Sequence, residues 1–258
     1  MAEDFLATIH DVENLTVLVK KFSKPADFTR YLSENGVDYG VILAELSPVT
    51  TGICRNEYVV EFCRNQERLI PFANINPYLV NDGGRELERL VKEMGFRGLK
   101  MYPTYNYFYP NEPLVYPIYA KAEELGIPVL FHTGSSVFHG SRLKYGDPQL
   151  FDDVAIDFPD LNLVMAHSGR GYWYDRAFFL SRLHKNLYME VAGLPPHKLL
   201  DYFPELERNA DRVIFGSDWP TVTSIKHNIE VIKKLPLKEE TKEKILGGNA
   251  ARLLKIKA

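Results

Sequence analysis

Ile127-Pro128-Val129-Leu130-Phe131-His132 is an apolar run that stops on an imidazole, and the pattern recurs along the chain. Leu161-Asn162-Leu163-Val164-Met165-Ala166-His167 repeats it, and Arg212-Val213-Ile214-Phe215-Gly216-Ser217-Asp218 ends the same way on a carboxylate. Buried strands have little reason to finish repeatedly in His, His and Asp unless those side chains converge. The C-terminal ends of strands do converge in a closed parallel barrel, and active sites of that architecture sit there.

The rest of the chain supports this reading. Further β-rich runs are expected at residues 37–46, 69–76, 96–102 and 187–192, with a first strand at 5–10 that is divergent or missing. Amphipathic helical patterns separate them at 26–35, 56–65, 84–94, 114–125, 148–158, 172–184 and 197–209, with 225–235 and 238–254 closing the series. Gly36, Gly95 and Gly126 follow helices where a left-handed cap is easily adopted, and Pro113, Pro148 and Pro196 sit at helix starts. Val41-Ile42-Leu43 and Leu163-Val164-Met165 are continuously apolar, as parallel strands covered by helices require. These β/α units predict a single-domain (β/α)8 TIM barrel over residues 1–258. A doubly wound open sheet fits less well, because no glycine-rich phosphate fingerprint opens a first helix.

Composition narrows the function class. A net charge of −3 leaves no basic excess for nucleic acid. No apolar run approaches the roughly 18 residues needed to span a bilayer. The sequence at Met1 shows no leader pattern, and Cys54 and Cys63 form neither a zinc signature nor a disulfide framework. A cytoplasmic enzyme acting on a small-molecule substrate is expected, without nucleic-acid or membrane partners. A homodimer is the default assembly.

His132 opens Thr133-Gly134-Ser135, a loop able to approach a ligand closely, and His167 repeats the strand-His-[Thr/Ser]-Gly arrangement. Asp218 could cap a helix, but Trp219-Pro220 disfavours immediate helix entry. Two neutral imidazoles facing a carboxylate suit a divalent metal, Zn²⁺ first and also Mn²⁺ or Fe²⁺. Lys100, near the end of the 96–102 run, can pair with a substrate carboxylate or form a structural ion pair. Tyr102, Tyr105 and Tyr107 belong to an aromatic loop that either walls a pocket or packs over the rim. Arg170 either binds a substrate anion or is an exposed loop residue, and Glu190 orients a ligand or pairs with Lys100. His139, His184, His197 and His227 read as surface residues.

Together, Phe-Gly-Ser-Asp-Trp-Pro ending at Pro220, Phe-Arg-Gly-Leu-Lys-Met-Tyr-Pro ending at Pro103, Val-Leu-Phe-His-Thr-Gly ending at Gly134 and Leu-Val-Met-Ala-His-Ser-Gly ending at Gly169 resemble the amidohydrolase superfamily. Within it they are similar to the amidohydrolase-related branch, which holds aminocarboxymuconate-semialdehyde decarboxylase-like enzymes and small lactone or ester hydrolases. The resemblance implies a metal-dependent barrel with His132 and Asp218 as ligands. His167 is implied as a catalytic histidine beside the metal, or as a further ligand in binuclear members. The family's His-x-His at the first strand is absent. Thr8-Ile9-His10 matches it in part and makes His10 a candidate ligand. Alternatively, the chain starts downstream of that strand, or it is a relative that has lost its metal.

The leading expectation is a metal-dependent hydrolase acting on a small ester, lactone or amide, with Asp218 accepting the proton of metal-bound water and His167 assisting. The alternatives are non-oxidative decarboxylation of an aromatic or muconate-type acid at the same site, or an inactive barrel.

Overall fold

The computed structural model describes residues 17–256 apart from 18, 222 and 223. The strand expected at 5–10, and His10 with it, lies outside the described residues. Seven parallel strands form one sheet, curled into a half-barrel. They are β1 (Gly40–Leu43), β4 (Leu69–Asn74), β5 (Gly98–Met101), β6 (Val129–His132), β7 (Leu163–Ala166), β8 (Leu187–Glu190) and β9 (Val213–Ile214), neighbours in that order. A separate antiparallel hairpin pairs β2 (Glu45–Ser47) with β3 (Gly52–Cys54). Among the described residues, no helix is long and apolar enough to cross a membrane.

Strand side chains alternate between two environments, as a pleated backbone requires. Leu99, Met101, Val129, Phe131, Leu163, Met165, Leu187 and Met189 point outward into the large core shared with the helices. These helices include α1 (Pro25–Glu34), α2 (Asn56–Cys63), α3 (Gly83–Lys92), α4 (Pro103–Asn106), α5 (Tyr116–Leu125), α6 (Phe151–Asp157) and α7 (Tyr174–Leu183). Ile70 and Phe72 join Leu254 in a smaller cluster, flanked by Leu43, Leu130 and Ile256. Gly98 makes room there, since a Cβ on it would lie 2.3 Å from the Phe72 ring. By the same alternation Lys100 follows Gly98 on the inner row, His132 follows Leu130, and Glu190 follows Tyr188. The inner rows of β5, β6 and β8 thus run from apolar or small residues into charged or ionisable ones at their C-terminal ends.

The structure departs from the sequence reading in three places. The run at 37–46 is two strands, because after Ala44 the chain leaves the sheet. The Ala44 amide still bonds Phe72 O at 3.0 Å, but the Leu46 amide donates to the Asn74 side chain at 2.7 Å. Buried Asn74 also donates to Lys100 O at 2.6 Å and exchanges two 2.9 Å bonds with the Asn56 side chain. Asn76 and Asn106 both donate to Leu46 O, fixing the β2–β3 hairpin on the rim. The run at 212–218 is strand only at Val213–Ile214, since the Phe215 amide turns to Ile245 O. The helix expected at 197–209 is broken into short turns around Leu199–Tyr202, with Pro204 unable to continue it.

Candidate active site

Lys100, His132 and Glu190 finish adjacent or near-adjacent strands, and the loops that follow add Tyr102, Tyr105, His167, Arg170 and Asp218. The His132 and His167 rings stand edge to face with centroids 4.9 Å apart. Gly193, at φ +67°, marks where the others meet. A Cβ there would lie 2.8 Å from Arg170 Nη1, 3.0 Å from Asp218 Oδ2 and 3.4 Å from His167 Nδ1. The absence of a side chain at Gly193 therefore lets three functional groups approach one point. His167, Ser168 and Asp218 all adopt positive φ, so the backbone itself turns sharply beneath the site.

Each imidazole has a defined setting. His167 Nδ1 lies 2.8 Å from Ala192 O; a carbonyl only accepts, so Nδ1 carries the proton and Nε2 a lone pair. Burial, and then Arg170, lower the His167 pKa to about 3, so the ring is neutral at pH 7. His132 is also held well below its ordinary value, by burial first and then by His167, Lys100 and Arg170. Its Nδ1 lies 3.3 Å from the Tyr105 hydroxyl, the Ser135 backbone also contacts the ring, and its Nε2 is buried with no hydrogen-bond partner among the described residues.

The charged groups are equally enclosed. Burial pulls the Lys100 ammonium down, and Glu190, Asp218 and Glu45 pull it back. Burial lifts Glu190, against the attraction of Lys100. Glu190 accepts the backbone amides of His167 at 3.3 Å and Ala192 at 3.0 Å, tying β8 to the loop after β7. Tyr102 is buried, with its ring 5.0 Å from Lys100 Nζ and its hydroxyl donating to Ala44 O at 3.3 Å. Arg170 is buried rather than an exposed loop residue, and it donates to Ser135 O at 3.0 Å. The aromatic loop packs over the rim as the buried turn α4.

His139, His197 and His227 are exposed as expected, whereas His184 is half-buried and bonds Asp152 at 2.6 Å. Cys54 is half-buried and Cys63 buried, both free. Glu45 is the site residue the sequence reading missed. Its carboxyl, raised above its usual range by burial, receives the Thr51 hydroxyl and interacts with Lys100 and Asp218. Glu45 follows the apolar run ending at Ala44, the same run-then-polar pattern as His132, but it was absorbed into one long strand.

The amidohydrolase family profile matches residues 22–256. The chain belongs to the amidohydrolase family. Gamma-resorcylate decarboxylase of Rhizobium radiobacter is 25% identical, the match covering 78% of this chain and 75% of that protein. The 2-amino-3-carboxymuconate-6-semialdehyde decarboxylase of Dictyostelium discoideum is 22% identical, over 77% of this chain and 65% of that protein. An uncharacterized TIM-barrel protein from Bordetella bronchiseptica superimposes with a TM-score of 0.76 at 26% identity, over 89% of this chain and 82% of the other. A 5-carboxyvanillate decarboxylase from Novosphingobium aromaticivorans, solved with manganese and 4-hydroxy-3-methoxy-5-nitrobenzoic acid, gives 0.68 at 17% identity, over 89% and 79%. The amidohydrolase barrel and the branch expected from the motifs are therefore established. The expectation of ester, lactone or amide hydrolysis is overturned, because these named relatives are decarboxylases.

Amidohydrolases bind a divalent metal. Among the described residues no three His, Cys, Asp or Glu side chains stand close enough together to hold one. Two donors nonetheless suit the role. His132 Nε2 is a buried imidazole nitrogen with no partner among the described residues, and Asp218 carries its carboxylate to the same mouth.

Proposed function

We propose that this protein is a metal-dependent, non-oxidative decarboxylase of a small aromatic or muconate-type carboxylic acid. The observation that carries the reading is a pair of buried, neutral imidazoles facing two buried cations and Asp218 across the barrel mouth. The named decarboxylase relatives support it. In this reading His132 and Asp218 hold the metal, with His10 as a further ligand. Zn²⁺ and Mn²⁺ both suit imidazole and carboxylate donors. When bound, the metal polarises a substrate oxygen as a Lewis acid.

Arg170 and Lys100 pair with the substrate carboxylate, and the low-dielectric surroundings strengthen both contacts. Tyr102 walls the ring side of that pocket. Decarboxylation breaks the bond between the carboxylate and its carbon, leaves the electron pair on that carbon and releases CO₂. A proton must then reach the carbon. The His167 Nδ1 proton is committed to Ala192 O, so its Nε2 arrives as an acceptor, suited to a substrate hydroxyl. The proton that reaches the carbon comes from solvent and is delivered at the point over Gly193 where His167 and Asp218 meet.

The test is CO₂ release from a panel containing 2,6-dihydroxybenzoate, 5-carboxyvanillate and a carboxymuconate semialdehyde, with Zn²⁺ or Mn²⁺ added. Decarboxylation is expected for at least one acid, and His132→Ala and Asp218→Ala should each lose bound metal and turnover while His184→Ala keeps both. No CO₂ from any acid under either metal, with metal content unchanged in both site variants, would sink the reading.

A further inference from the structure

Tyr105 is not needed to hold the substrate in the mechanism above, yet its hydroxyl is a polar neighbour of His132, alongside the Ser135 backbone. Its hydroxyl lies 3.3 Å from His132 Nδ1 and 3.0 Å from Ser136 Oγ, and the two rings pack with centroids 4.7 Å apart. Tyr102 stacks on Tyr105 at 5.6 Å and 17°, so the phenol ring is packed against both Tyr102 and His132.

A neutral imidazole owns one N–H, which leaves two arrangements. In the first, Tyr105 donates to Nδ1 and the proton sits on Nε2, a buried atom with no partner among the described residues. That strands a buried donor, a defect native structures rarely tolerate. In the second, Nδ1–H donates to the Tyr105 oxygen, and Tyr105 donates onward to Ser136 Oγ. Ser136 has the capacity, because a hydroxyl oxygen accepts twice and, among the described residues, only the Phe138 amide, at 3.2 Å, otherwise uses it. Nε2 then presents a bare lone pair.

We infer that Tyr105 is a positioning residue which, backed by Ser136, holds His132 in the Nδ1–H tautomer and leaves its Nε2 lone pair open to the site. His167 reaches the same state through a different partner, the Ala192 carbonyl. Both imidazoles thus meet a metal or substrate as acceptors, each set by a contact on its far side. The inference rests on His132 facing the reaction, as proposed above, but the tautomer is readable without turnover.

The experiment is a long-range ¹H–¹⁵N correlation spectrum of the full-length protein labelled with [¹⁵N]histidine, recorded as purified and with added Zn²⁺. The His132 signals are identified by their loss in His132→Gln. A protonated Nδ1 and an unprotonated Nε2 are expected in the wild type. Tyr105→Phe, which keeps the ring stack, should move the population toward Nε2–H and weaken Zn²⁺ binding about 10-fold or more. Ser136→Ala should shift it in the same direction. A wild-type Nε2–H signal overturns the inference, as does an unchanged Nδ1–H signal in a Tyr105→Phe protein with wild-type melting. If Tyr105→Phe fails to fold, an unchanged tautomer in Ser136→Ala overturns it. Absence of any Zn²⁺ effect on the wild-type spectrum counts instead against the metal-dependent function.

Discussion

β6 and β1 carry similar apolar sequences and live in different surroundings. β6 is paired on both edges, by β5 and β7, and its Phe131 is wholly buried between the Tyr119 and Phe151 rings at 5.6 and 4.8 Å. β1 is paired only by β4 among the described residues, and Val41 at its centre is 39% exposed. Both runs are mostly apolar, so the difference comes from neighbours. Burial of an apolar side chain is a property of the whole sheet, and four of the site's groups sit where the sheet is double-sided. Lys100, His132, His167 and Glu190 all belong to the β5–β8 side.

The contrast can be broken by mutation. Phe131→Ala should cost about 3–5 kcal/mol in urea unfolding, the range for a fully buried aromatic truncated to Ala. Gly216→Ala comes next. Its Cβ would lie 1.6 Å from Glu190 Oε1, a group already held by two backbone amides, and the clash should cost about 1–3 kcal/mol and displace that carboxyl. Unchanged stability and activity in Gly216→Ala would show that Glu190 is free to move.

A third effect is smaller and depends on pH. His167 stays neutral in the fold down to about 3, whereas its ordinary pKa is 6.5. Below about 6.5 the unfolded chain takes up a proton that the folded one refuses. The stability from this group is therefore complete above about 6.5 and is lost as pH falls toward 3, by about 1.4 kcal/mol at pH 5.5. Melting temperatures from pH 7.5 to 5 should fall less steeply in His167→Asn than in the wild type, and parallel slopes would refute the neutral assignment. The smallest effect belongs to β1, where Val41→Ala should cost no more than about 0.5 kcal/mol. A loss comparable to Phe131→Ala would erase the distinction between the two sides.

Much of this was legible in the chain. Strand ends at His132 and next to His167 follow from apolar runs of limited length, and the inner-row positions follow from a period of two. Asp218 stands beside Arg170 and His167 at Gly193, although its supposed strand is only two residues long. The run Val213-Ile214-Phe215 is apolar because it is buried or half-buried, and periodicity cannot say which hydrogen-bond partners enclose it. Arg170 and Glu45 were harder for a related reason. Their burial depends on contacts from Ser135 and Thr51, which only the tertiary fold brings near. The reaction was the least readable feature, because one set of imidazoles, carboxylates and cations serves hydrolysis and decarboxylation alike.

Asn74 has a kinetic consequence. Its side chain holds the Leu46 amide of the rim hairpin and the Lys100 carbonyl of the sheet at once, and its backbone is locked to Asn56. Lifting the hairpin off the mouth would break the first bond and leave a buried amide group exposed to an apolar interior. The rim and the floor beneath Lys100 should therefore open together or not at all, with the Leu46 amide exchanging its hydrogen as slowly as those of the central strands.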